Sequence, residues 1–229
     1  MEMEISAAVS HGFNVFIYDW CMYDDRPYLE NCLNDGFLKA RNRSEMKFYL
    51  MWANHDVTYL WDRRISDADT NNVIWKGAVN SEQFKRIGRR WLEKYFTLPE
   101  YYRIDNKPLL GIYDLQNFIS CLGGVENAVH CMNWLNDEAV KCGLGGVHFQ
   151  YIKYGTEIVN RSGFDKPMKT ESITDVVRNM PFDSLTHYQF VHFTDMNSEY
   201  SQILDDVAEE WNKIDSCFEI PYCPHISKG

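Results

Sequence analysis

At 229 residues the chain can bury one large core, and nothing in it demands a second domain, so residues 1–229 are read as a single domain. A formal charge of −10 disfavours non-specific attraction to nucleic acid or anionic membrane, and no apolar run is long enough to span a bilayer. Hydrophobic content of 45% with 24% charged residues is the balance of an ordinary globular protein.

Glu2 to Ser10 reads as a short helix closed by Gly12, and a strand follows from Phe13 to Tyr18. Tyr28 to Arg41 is expected to be mostly helical, with a second strand from Met46 to Trp52 and a long irregular segment from Ala53 to Val79. Asn80 and Gln83 form a capping-box pattern. The helix they open carries Phe84, Ile87, Trp91 and Tyr95 on one face, with Lys85, Arg86, Arg89, Arg90 and Lys94 largely on a solvated outer face. Further strands are expected at Leu109–Tyr113, Val147–Ile152, Ser184–Tyr188 and Phe218–Tyr222, and helices at Val125–Cys142, Glu171–Met180 and Ser198–Ile214.

Most of these strands recur at the beat of βα units with a parallel sheet. Several end in polar or aromatic residues: Tyr18-Asp19-Trp20, Trp52-Ala53-Asn54-His55-Asp56, Tyr113-Asp114 and Thr186-His187-Tyr188. Polar strand ends spread over nearly every unit favour a (β/α)8 barrel, whose sites lie on the carboxyl rim. A doubly wound sheet would want a Gly-rich phosphate loop after an early strand, and the sequence has none. Only six strands are countable where a barrel needs eight.

No Gly-x-Ser-x-Gly elbow, P-loop or dinucleotide fingerprint occurs, which argues against serine hydrolase, NTPase and dehydrogenase. No cofactor is expected. The seven cysteines have no CxxC spacing and lean toward reducing surroundings, with Cys121, Cys131 and Cys142 read as small buried hydrophobes. Met1 to Ser10 is acidic and amphipathic, unlike a signal peptide. His187, His192 and His225 lack the spacing of a helical zinc pair, so hydrogen bonding is preferred to a metal. Trp75, in the long loop, is expected to be exposed.

Three blocks in order resemble the WbsX-like family, related to glycoside hydrolase family 99, the endo-acting α-mannosidases and mannanases. They are Ala8 to Phe16, Trp52 to Asp62 and Tyr102 to Tyr113, and the likeness covers most of the first 150 residues. It implies a (β/α)8 barrel acting on a glycan. In that family the first strand precedes the segment matching Met1. The eighth follows Gly229 and carries an Asn-Glu-Trp-x-Glu-Gly motif with the catalytic glutamates. That motif is not in this sequence, so the resemblance implies an internal piece with the acid pair outside it. An isolated piece of that kind is expected to be marginal, prone to associate and inactive.

Among the acids present, Asp19 and Asp114 are read as holders of sugar hydroxyls, against the plainer reading that each caps a helix or ties a loop. His55 stands where the family has glutamate, and Asp56 where it has asparagine. With Asn54 they are expected to bind substrate, against a merely hydrogen-bonded histidine. Trp20, Trp52 and Trp61 are candidates to stack on sugar faces, with core packing or loop anchoring as the alternative. Tyr113 and His187 complete the candidate contacts. The readings carried forward are hydrolysis of an α-linked glycan by the parent protein, glycosyl transfer in surface-polysaccharide synthesis, and a non-catalytic carbohydrate-binding barrel.

Overall fold

Phe48-Tyr49-Leu50-Met51-Trp52 is apolar on both sides of the strand alternation, as a strand covered on both faces must be. In a computed structural model of the chain, which describes residues 1–58, 73–77, 79–153 and 173–226, this run is buried throughout. In chain order the elements are α1 (Glu2–Ser10), β1 (Val15–Tyr23), β2 (Arg26–Tyr28), β3 (Lys47–Trp52), β4 (Val57–Thr58), β5 (Val73–Trp75) and α2 (Ser81–Trp91). They continue with β6 (Arg103–Ile104), β7 (Lys107–Ile112), α3 (Leu115–Leu122), α4 (Val125–Lys141), β8 (His148–Lys153), α5 (Ile173–Arg178), β9 (Ser184–His187), α6 (Tyr200–Cys217) and β10 (Tyr222–Cys223).

The main sheet runs β10-β9-β8-β7-β3-β1-β2, with β6 paired to β7 at its side. From β10 to β1 every neighbouring pair is parallel and consecutive in the chain apart from the small β2, β4, β5 and β6 ribbons. The order has no reversal, unlike a doubly wound sheet. The sheet also curls. Tyr188, beyond β9, packs on Tyr113, beyond β7, with ring centroids 4.9 Å apart. Across still more strands, the charge of Asp19 on β1 acts on the Tyr188 phenol, and Cys223 on β10 acts on Tyr49 of β3.

Several expectations need revision. β1 runs to Tyr23, well past Tyr18, because β2 folds back on it through a two-residue turn and extends its hydrogen bonding. Asp24 and Asp25 take φ 48° and 61° there, the left-handed pair a tight hairpin requires. The helix expected over 28–41 is present over residues 30–39, where an α-helical start passes without a break into a π-turn (Cys32–Gly36) and a 3-10 turn (Phe37–Lys39). The strand expected at 218–222 is only Tyr222–Cys223. The irregular segment 53–79 contains the β4–β5 ribbon. Helix α3 and strand β6 had not been anticipated.

The Asn80–Gln83 capping box is present in both directions, at 2.9 Å each way. Arg90, however, is not on the solvated face. It grips Glu30, 8% exposed, through Nε (2.9 Å) and Nη2 (2.6 Å). Glu30 also accepts from Trp20 Nε1 at 2.8 Å and Asn34 Nδ2 at 3.1 Å, so this buried carboxylate is well satisfied. Burial opposes its charge, but Arg90 and Trp20 hold its pKa below the ordinary value. Cys131 is buried as expected, Cys121 half-buried, and Cys142 is exposed at the end of α4, where the helix face turns to solvent.

Candidate functional site

Strand register decides which residues share a face. Trp20 pairs with Trp52, Trp52 with Ile112, Ile112 with Tyr151, and Tyr151 with Leu185. This row faces the helices. The Trp20 and Trp52 rings lie 5.2 and 5.5 Å from that of Trp91 on α2, and Trp52 lies 5.7 Å from Phe118 on α3. Both tryptophans are 1% exposed. The expectation that they stack on a sugar is therefore corrected: they form the wall between sheet and helices, and neither ring is open to a ligand.

One residue earlier the register gives Asp19, Met51, Gly111, Gln150 and Ser184, on the opposite face. Here Tyr49 Oη lies 3.4 Å from Gln150 Oε1, Gln150 Nε2 3.3 Å from Ser184 Oγ, and His148 Nε2 2.8 Å from the same hydroxyl. This buried polar chain crosses from β3 to β9. Asp19 stands in the same row as Gln150 and Ser184, and past the strand ends, at the carboxyl rim, stand His55, Tyr113 and Tyr188. The His55 and Tyr113 rings meet edge to face at 5.7 Å, and Tyr113 meets Tyr188 as described.

Solvent reaches Asp19, yet the protein crowds its carboxyl on several sides. That desolvation raises its pKa from the ordinary aspartate value, while the neighbouring His55 pulls it back. Burial likewise raises the Tyr188 phenol, reinforced by Asp19 and Cys21. The rim thus offers a carboxyl, an imidazole and two phenols, a mixture of donors and acceptors for a hydroxyl-rich ligand.

Asn54 and Asp56 hold the rim together. The Asn54 side chain, 2% exposed, donates to the Asp114 carbonyl and accepts from the Asp114 N–H, both at 2.8 Å. Asn117 Nδ2 in turn donates to the Asn54 carbonyl at 2.5 Å. The Asn54 amide is committed to this clamp between β3 and β7, which corrects its expected role as a substrate contact. Asp114 caps α3 by accepting from the Asn117 N–H at 2.9 Å, the plainer of its two readings. Asp56 Oδ1 accepts from the Gly77 N–H at 2.8 Å and ties β5 to the strand end. A Cβ at Gly77 would overlap the His55 carbonyl oxygen, so only glycine fits there. Trp61 lies outside the described residues.

His187 is also relocated. It follows the alternation onto the helix side, where Tyr222 Oη lies 2.9 Å from its Nδ1 and Glu210 Oε1 3.5 Å from its Nε2. Glu210, on α6, bonds Lys153 Nζ at 2.9 Å, with both side chains 8% exposed. Burial first, then Lys153 and His225, push the His187 pKa down to about 4 against the pull of Glu210. His187 is part of a buried ion cluster away from the rim. Tyr188, its strand neighbour, is the rim residue that sequence reading passed over.

Among the described residues, no three of His, Cys, Asp or Glu converge in a way that would hold a metal ion. No helix among them is long and apolar enough to cross a membrane. The model of the family described as "Glycosyltransferase WbsX" matches residues 1–223. The chain belongs to the WbsX family. A solved structure described as a "Glycoside hydrolase-like protein" resembles this WbsX-family chain with a TM-score of 0.56 at 15% identity. The likeness covers 98% of the chain and 61% of that structure, so the chain spans less than two thirds of its neighbour's length. No curated protein matches the sequence. This WbsX-family chain is thus a mixed α/β domain of a carbohydrate-active family, with a mostly parallel sheet.

Proposed function

We propose that this chain is an arc of a (β/α)8 barrel whose carboxyl rim binds an α-linked glycan, and that the parent protein hydrolyses it. The observation that carries the reading is the rim cluster itself, in which Asp19, with its raised carboxyl pKa, meets His55, Tyr113 and Tyr188 on one side of the curled sheet. The consecutive parallel order and the glycoside hydrolase-like neighbour support the barrel. Asp19 would accept sugar hydroxyl protons, and the phenols would donate to ring or glycosidic oxygens. Asp56 and Asp114 shape this surface through their loops.

The family's description favours a second reading, glycosyl transfer from a nucleotide sugar. Against it, Asp19, Asp56 and Asp114 give the rim an acidic character that repels a diphosphate. Calorimetric titration of the protein with oligosaccharides and with nucleotide sugars separates the two. Glycans should bind, and Asp19→Asn should weaken them at least tenfold, the cost of one charge-assisted hydrogen bond at roughly 1.5–3 kcal/mol. Nucleotide-sugar binding in preference to glycan would establish transfer. Glycan binding indifferent to Asp19→Asn would remove the rim as the site.

A further inference from the structure

The face that carries Asp19 does not stop at the rim. In the β1–β2 hairpin Cys21 pairs with Tyr28 and Tyr23 with Arg26, so Asp19, Cys21, Tyr23, Arg26 and Tyr28 all lie on one side of a ribbon that continues past the sheet. The ribbon is held from behind, where Asp25 in its turn accepts from Gln83 Nε2 at 3.1 Å and pairs with Arg86 of α2. Opposite stands Trp75 of β5, tied in through Gly77 and Asp56. The three rings form a triangle, with centroids 5.9 Å (Tyr23–Tyr28), 5.9 Å (Tyr23–Trp75) and 6.0 Å (Tyr28–Trp75) apart.

They line an open recess of about 440 Å³, with Asp24, Arg26 and Pro27 at its lip. That volume lies within the range of small-molecule sites. Tyr23 is its buried back wall, while Tyr28 and Trp75 are 47% and 40% exposed. Large aromatic surface left open beside a carboxylate and a guanidinium matches one ligand chemistry well. A pyranose has an apolar C–H face for the rings and an edge of hydroxyls for Asp24 and Arg26.

We infer that this recess is a distal sugar subsite, so that the ligand is an extended oligosaccharide lying along the β1–β2 ribbon with one unit at Asp19 and another against Tyr28 and Trp75. The inference rests on the glycan reading of the rim. Tyr23 lies four strand steps beyond Asp19, about 13 Å at the rise of a β-strand, farther than one sugar ring reaches. Affinity should therefore step upward with chain length.

The test is calorimetry of the full protein with a ladder of mono- to tetrasaccharides of mannose, glucose and galactose in α and β linkage. The expected result is at least a tenfold gain between a monosaccharide and the longer members of one series. Trp75→Ala should abolish that gain while leaving monosaccharide affinity within twofold, and Trp75→Phe should restore part of it. A ladder that binds with no dependence on length refutes the subsite and leaves the rim reading standing. Equal losses for short and long glycans in Trp75→Ala also refute it, since the ring would then only support the rim loop. No binding by any member overturns both readings.

Discussion

Asn54→Asp isolates the clamp that holds the rim, because it conserves volume and changes only the hydrogen-bond polarity and the charge of the side chain. In the native chain the side-chain amide satisfies the N–H and the C=O of Asp114 at once, each at 2.8 Å, in surroundings that leave Asn54 2% exposed. Aspartate keeps the acceptor for the Asp114 N–H but sets an oxygen against the Asp114 carbonyl. One buried carbonyl loses its partner, at about 1–3 kcal/mol, and a carboxylate must be buried beside it or take up a proton. The expected loss is roughly 2–4 kcal/mol. Urea unfolding at neutral pH should show a lower midpoint with unchanged m-value. Hydrogen exchange at the Asp114 amide should quicken beyond what the global loss explains, because the β3 and β7 ends part locally. A midpoint within about 0.5 kcal/mol of wild type would refute the view that this amide joins the two strand ends.

Two further outcomes follow from residues near the site and on the helix side. His187 is held neutral, its pKa depressed from 6.5 to about 4, so below pH 6.5 the unfolded chain binds a proton that the folded chain refuses. Its contribution is complete above pH 6.5 and is lost as pH falls toward 4, by about 2 kcal/mol between pH 7 and pH 5. His148 and His225, also lowered by burial, act in the same direction, whereas Glu210, lowered by Lys153 against its burial, loses its share only below its ordinary 4.5. Urea midpoints at the two pH values should converge in His187→Phe, and an unchanged slope would show that the imidazole is not the group responsible. Gly77→Ala forces a methyl against the His55 carbonyl and strains the Asp56 bond, so it should cost about 1–3 kcal/mol and weaken glycan binding together with stability. Wild-type melting for that variant would mean that β5 is not seated on the strand end.

The parallel beat, the capping box and the polar strand ends were legible because each rests on local spacing. The face each strand-end residue takes was not. Phe48, Leu50 and Trp52 are apolar, but so are Tyr49, Met51 and Ala53, and a strand buried on both sides carries no alternation from which to read its direction. Trp20 and Trp52 thus fall among the helices while Asp19 faces the rim, and His187 falls among the helices while Tyr188 faces the rim. The capping reading of Asp114 needed the unanticipated α3, whose left-handed Gly123 at the C-cap was a visible stop signal. The Asp24-Asp25 and Asp105-Asn106 pairs, both at positive φ, were likewise visible hairpin turns, and they account for β2 and β6.

What separates ligand-binding candidates from structural ones at this rim is where their polar atoms are already engaged. Asn54 meets backbone groups with both ends of its amide, Asp56 holds Gly77, and Asp114 holds the first turn of α3. Withdrawing any of these toward a sugar would leave a backbone group without its partner, at a cost comparable to the bond a hydroxyl returns. Asp19 is in a different position. It projects from the middle of a strand paired with β3 along Val15–Trp20 and, just beyond, with β2 along Cys21–Tyr23, so its placement needs no bond from its own carboxyl. A rigid strand supplies the geometry and the carboxyl supplies the chemistry, which is the division of labour a binding site requires. The same ribbon that fixes Asp19 carries Tyr23 and Tyr28 outward, so the rim and the aromatic recess are one continuous surface on one rigid element.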